Sequence, residues 1–177
     1  MKASALVVAG LLLFPVGDVS AHEVNDAQIA SIVVTANQVD IDAGKLAKSR
    51  STNNEVKAFA ELMITDHTSV NKSATDLVAK LKVSPQNNFT SQNLKSGGER
   101  NLAHLKTLKG TAFDKAYVDH EVTYHQQVLD ALDTTLVPSA KNEQLKALLV
   151  KVRPAFVAHL EHAKHLRKSL GESTSAR

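Results

Sequence analysis

From residue 29 onward, apolar residues recur at alternating steps of three and four, the spacing that puts side chains on one face of an α-helix. In a first segment they fall at Ile29, Ile32, Ala36, Val39, Ala43 and Leu46. A second carries Val56, Ala60, Met63, Val70, Ala74, Leu77 and Leu81, with His67 in the slot between Met63 and Val70. A third carries Phe113, Tyr117, Val128 and Leu132, and Glu121 and His125 take the two slots in between. The fourth stripe is Leu145, Leu149, Val152, Phe156, His159, Ala163, Leu166 and Leu170. Sustained period-two alternation is missing, so the pattern predicts an all-α chain.

Breakers and caps divide the stripes. The first helix is predicted from Asn25 or Asp26 to Ser49, and the second from a cap at Asn53 or Asn54 to about Lys82. Pro85 and Gln86-Asn87-Asn88 stop the chain. Between Thr90 and Lys109, Leu94, Leu102, Leu105 and Leu108 keep helical spacing, but Gly97-Gly98 interrupts them. This predicts two short helical pieces or one broken helix. The third long helix is expected from Thr111 until Pro138, and the fourth from Lys141 or Asn142 to Leu170, kinked at Pro154. Two short turns make two antiparallel pairs, and one long, partly helical crossover joins them. That is the ferritin-like way of connecting a four-helix bundle.

Residues 1–21 are of another kind. Lys2 precedes an apolar run from Ala3 to Phe14, Pro15 and Gly17 break it, and Val19-Ser20-Ala21 is a small-residue cleavage site. The stretch reads as a secretory signal, which predicts a periplasmic protein with no membrane segment after signal removal. The bundle domain is then expected over 22–171, with a flexible tail over 172–177. A chain of 177 residues can build one domain with a real core. The absence of cysteine excludes disulfides, thiolate metal sites and cysteine nucleophiles. A formal charge of +3, with basic and acidic residues interleaved, gives no footprint for nucleic acid.

The chemistry lies in the polar residues within the apolar stripes. His67, His159 and the pair Glu121 and His125 occupy inward slots on three helices, and Asp40 flanks the apolar face of the first. Counted from the third turn, Glu121 and His159 lie at similar height, whereas Asp40 and His67 differ by about four residues, or roughly 6 Å. Burying imidazole and carboxylate groups is costly unless they are paired, hydrogen-bonded or bound to a metal. Three imidazoles and two carboxylates make a nitrogen–oxygen set suited to zinc, iron, manganese or copper. Asp66 is about 100° round the helix from His67, where it can orient a histidine rather than share its direction. His162 and His165 continue a three-residue repeat after His159; His165 drifts toward solvent, and Tyr117, His120 and Tyr124 are expected at the core margin. Cleavage after Ala21 would also leave His22 as an amino-terminal copper chelator.

Met63 to Asn71 (M-I-T-D-H-T-S-V-N), Phe113 to Tyr117 with Glu121 to His125, Pro154 to Ala163, and Val39 to Ala47 together resemble the bacterial exported proteins of domain-of-unknown-function family four-one-four-two. The resemblance spans Asn25 to Leu170. It implies a ferritin-like four-helix bundle and points to Asp40, Asp66, His67, Glu121, His125 and His159. Relatives often carry glutamate at position 40 and glutamine at position 121. Many are labelled outer membrane proteins, which fits poorly with a helical chain lacking barrel strands. Di-iron carboxylate bundles use two E-x-x-H motifs, but Ile64 and Phe156 stand where the glutamates would be. A mononuclear or histidine-rich site is therefore expected. A divalent-metal bundle that stores, buffers or senses its ion is the first functional expectation. The alternative is a non-catalytic envelope or stress-response protein whose buried His–Asp/Glu network is structural or pH-responsive. An enzyme ranks last, since no substrate pocket is legible.

Overall fold

The structure is a computed structural model and describes residues 24–175. The expected signal segment, and His22 with it, lies outside these. Asparagine side chains cap four of the helices. The Asn25 side chain accepts from the Gln28 N–H while the Gln28 side chain accepts from the Asn25 N–H, satisfying two otherwise unpaired donors at the start of α1 (Asp26–Arg50). Asn53 caps α2 (Asn54–Lys80), Asn88 caps α3 (Phe89–Thr107), and the Asn142 side chain accepts from the first N–H groups of α6 (Glu143–Ser175). Before α6, α4 (Gly110–Ala131) passes through a π-type turn at Leu132–Leu136 into α5 (Val137–Ser139).

Cross-helix pairs set the directions. Lys48 with Glu61, Asp40 with His67 and Asn71 with Val34 make α1 and α2 antiparallel. Arg153 with Asp133 and the facing rings of His125 and His159 do the same for α4 and α6. Lys80 with Gln144 and Asp66 with His159 make α2 antiparallel to α6. Helices α2 and α4 therefore run the same way, and α3 makes this possible by carrying the chain back outside α1 and parallel to it. The α1–α3 contact fixes that placement through Ser31 on Asn87 and the Arg50 guanidinium on the Lys106 and Leu108 carbonyls. The result is an all-α bundle whose single long crossover is itself a helix.

Two expectations about breakers change. The helix α3 is continuous through Gly97-Gly98. A Cβ at Gly98 would sit 2.7 Å from Val39 Cγ2, so the glycine lets α3 approach α1 rather than break. Pro138 does not stop α4 at once; the widened turn lets the Val137 N–H reach back to the Leu132 carbonyl, and helical backbone continues to Ser139. Pro154 lies inside α6, which continues beyond Leu170 into the expected tail. The core runs the length of the bundle, with Ile29, Phe59, Met63, Phe113, Tyr117 and Leu149 almost wholly buried. Each such side chain stabilises the fold by ~1.5–3 kcal/mol. Among the described residues no helix is long and apolar enough to cross a membrane.

Candidate metal centre

Halfway along this core the apolar layers give way to a polar one. Asp40 from α1, His67 from α2, Glu121 and His125 from α4 and His159 from α6 are each no more than 3 % exposed. The expected height offset between Asp40 and His67 is absent: with Lys48 on Glu61 to one side and Val34 on Asn71 to the other, Asp40 stands level with His67, whose Nε2 lies 3.0 Å from Asp40 Oδ2. Opposite His159 stands His125 rather than Glu121, with ring centroids 5.4 Å apart.

Each imidazole is held by one nitrogen. The Asn37 amide donates through Nδ2 to the Val33 carbonyl, which turns its oxygen toward His67; His67 Nδ1–H donates to it at 2.7 Å. His125 Nδ1 lies 3.0 Å from the Glu121 backbone carbonyl, which can only accept. His159 Nε2 lies 2.8 Å from the Asp66 carboxylate, likewise an acceptor. The outward nitrogen of every ring therefore carries the hydrogen, and the inward one presents a lone pair. Those inward atoms, His67 Nε2, His125 Nε2 and His159 Nδ1, are buried and have no hydrogen-bond partner among protein atoms. Ligand-competent nitrogens of the three rings lie within 4.8 Å of one another, and Asp40, Glu121 and His125 form a second such group sharing His125.

Electrostatics follow from burial. Desolvation holds His67 well below the usual imidazole range, and the His125 and His159 rings push the same way. Burial also lowers His159, against the pull of Asp66. Asp40 is raised well above the carboxylate range by burial and by the neighbouring Glu121 carboxyl. Burial pushes Glu121 up to about 7. Without a cation, burial thus favours uncharged imidazoles at His67 and His159 beside carboxyls at Asp40 and Glu121 that retain protons.

The remaining expected residues fall in several places. Asp66 orients His159, not its neighbour His67. Tyr117 is fully buried rather than marginal, and burial and Glu121 keep its hydroxyl protonated. Tyr124 is buried and donates to the Ala36 carbonyl, and His120 stacks on its ring. His162 and His165 are exposed, although the His162 ring packs edge-on against Phe59. Two contributors are missing from the sequence reading of the site. Asn37 sets the tautomer of His67; its signal was an amide one turn before Asp40 on a face otherwise apolar. Phe156, read only as core, stacks parallel on His67 with centroids 5.1 Å apart.

Residues 15–166 match the family model described as domain of unknown function (DUF4142). The chain belongs to this family. Compared with curated proteins and with solved structures, it shows no match to either. For this DUF4142 protein, function is therefore argued from the site.

Proposed function

We propose that this protein is an exported, ferritin-like helical bundle that binds one divalent first-row transition metal at the three imidazoles, with Asp40 or Glu121 completing the set. The observation that carries the reading is the orientation of the rings. Each is anchored through one nitrogen to an oxygen acceptor, as metal-bound histidines almost always are, leaving the other aimed at a common point. Such a donor set suits zinc, iron, manganese or copper. Buffering, storage or sensing of the ion fits an enclosed site on rigid helices. The export part rests on the residue 1–21 pattern of charge, apolar run and small-residue site.

The rival reading is a metal-free hydrogen-bond network. Asp40, protonated, would donate to His67 Nε2 across their 3.0 Å separation. That proton satisfies one imidazole and leaves His125 Nε2 and His159 Nδ1 buried without a protein partner, each costing about 1–3 kcal/mol. A cation satisfies all three together. Elemental analysis of chelator-free protein purified from the periplasm tests the reading, beside the double variant His67→Ala/His159→Ala. About one equivalent of metal in wild type, lost in the variant, is expected. No metal in wild type, even after reconstitution with each candidate ion, sinks the proposal.

A further inference from the structure

Beside the polar layer the structure leaves a cavity unfilled. A cavity of about 90 Å³ lies between α1, α4 and α6, and Asp40, His67 and His125 form part of its wall. The rest is nearly all apolar, with Val33, Ala36, Ala131, Leu149 and Phe156 among its lining. A shallow groove on the outer surface, lined by Phe89, Asn93, Gly97 and His120, adjoins it. Thr90, Leu94, Tyr124 and Gln127 line both, so they form the partition between groove and cavity. Tyr124 is pinned to the Ala36 carbonyl by its hydroxyl, whereas Leu94 sits on the crossover helix α3 and is only half-buried.

We propose that this cavity admits a small neutral molecule of dioxygen size and delivers it to the ion held by the imidazoles. The inference rests on the metal reading. Volume and chemistry choose the guest. At about 30 Å³ per water-sized share of liquid, the cavity has room for a guest of roughly two to four non-hydrogen atoms. An anion or hydrated cation entering it would lose its hydration against hydrocarbon, a large penalty, whereas an apolar molecule loses almost nothing. Apolar cavities of this kind stay dry and take up xenon. Asp40, His67 and His125 belong both to the cavity wall and to the donor set, so a guest in the cavity would reach an ion held there from their side. His159 and Glu121 do not line the cavity. The guest enters from the groove when Leu94 moves with α3.

The test has two arms. In metal-free protein, crystals under xenon pressure are expected to show xenon in the cavity of wild type and none in Ala36→Leu, which fills it. In protein loaded with ferrous ion, nitric oxide is expected to give a ferrous–nitrosyl electron paramagnetic resonance signal. Its formation should be at least tenfold slower or weaker in Ala36→Leu at unchanged iron affinity. Ala131→Leu fills the cavity from the other wall and serves if Ala36→Leu does not fold. Xenon absent from wild type, or nitrosyl formation equal in wild type and a folded filled variant, overturns the inference. Iron that fails to bind, with xenon still present, overturns the meeting of guest and ion, and failure of every candidate ion overturns the metal reading itself.

Discussion

Asn37 fixes the tautomer of a ring in the proposed site without belonging to the donor set. Its oxygen fixes the hydrogen of His67 on Nδ1 and frees Nε2, and its own amide is fixed by the Val33 carbonyl. In Asn37→Leu the ring loses this acceptor and both tautomers become accessible. Metal affinity is expected to fall 10–100-fold with the ligand set intact, measured by competition against a chromophoric chelator. Glu121 permits a sharper test because its proton affinity differs between folded and unfolded chain. Burial raises its pKa from 4.5 to about 7, so between these values the folded state binds more protons than the unfolded one. Stability of the metal-free protein therefore falls as pH rises through that window, and Asp40, raised by burial and by Glu121, adds to the fall. His67 and His159, lowered by burial, act oppositely, but only below their ordinary value of 6.5. Above pH 6.5 the carboxyls act alone. In Glu121→Gln the Glu121 contribution disappears, so relative to wild type the variant should gain on the order of 3 kcal/mol between pH 5 and pH 8. Denaturant titrations of chelated protein at the two pH values measure this. An equal pH dependence in both proteins would show that Glu121 does not hold a proton in the folded state.

At the scale of elements, Gly97 and Gly98 have the same sequence signal and opposite roles. A Cβ at Gly97 meets only the tip of Arg100, at 3.9 Å, whereas one at Gly98 drives into the Val39 side chain. Gly97→Ala is expected to stabilise the protein by about 0.5–1 kcal/mol through helix propensity. Gly98→Ala is expected to destabilise it by about 1–3 kcal/mol through overpacking and to loosen α3 on α1, seen as faster amide exchange in α3. The contrast explains what the sequence made legible. Heptad-like stripes located every long helix, because burial of an apolar face follows directly from spacing. The site residues were legible for the same reason: His67, Glu121, His125 and His159 stood in slots where the stripe called for an apolar side chain. What a single helix face does not encode is the meeting of two faces. Gly98 reads as a breaker until Val39 is opposite it, Asn37 reads as ordinary polarity until His67 is, and the pairing of His159 with His125 is set by the register of α4 against α6, which neither stripe alone encodes. The cavity was invisible for a related reason, since it is made by what five helices and the π-type turn jointly leave unfilled.

For the whole molecule, the site sits where α1, α2, α4 and α6 meet, so an ion bound there ties together both halves of the bundle. Its ligands come from positions far apart in sequence, and the unfolded chain offers no comparable site. Binding free energy is therefore folding free energy. At a free metal concentration a thousandfold above the dissociation constant, stabilisation is about 4 kcal/mol. For a domain of this length each kilocalorie raises the melting temperature by roughly 2–4 °C, so the loaded protein should melt about 8–16 °C above the chelated one. The increase should vanish in His67→Ala/His159→Ala and persist in Ala36→Leu, which leaves the ligands in place. Calorimetry with and without chelator reads this directly. A shift retained in the histidine variant would move the bound ion elsewhere on the molecule, and no shift in wild type, with metal demonstrably bound, would mean that the unfolded chain holds it equally well. Proton release adds an independent check, because a cation beside Asp40 and Glu121 expels the protons that burial holds on them. Loading at pH 6 should therefore acidify a weakly buffered solution more than loading at pH 8.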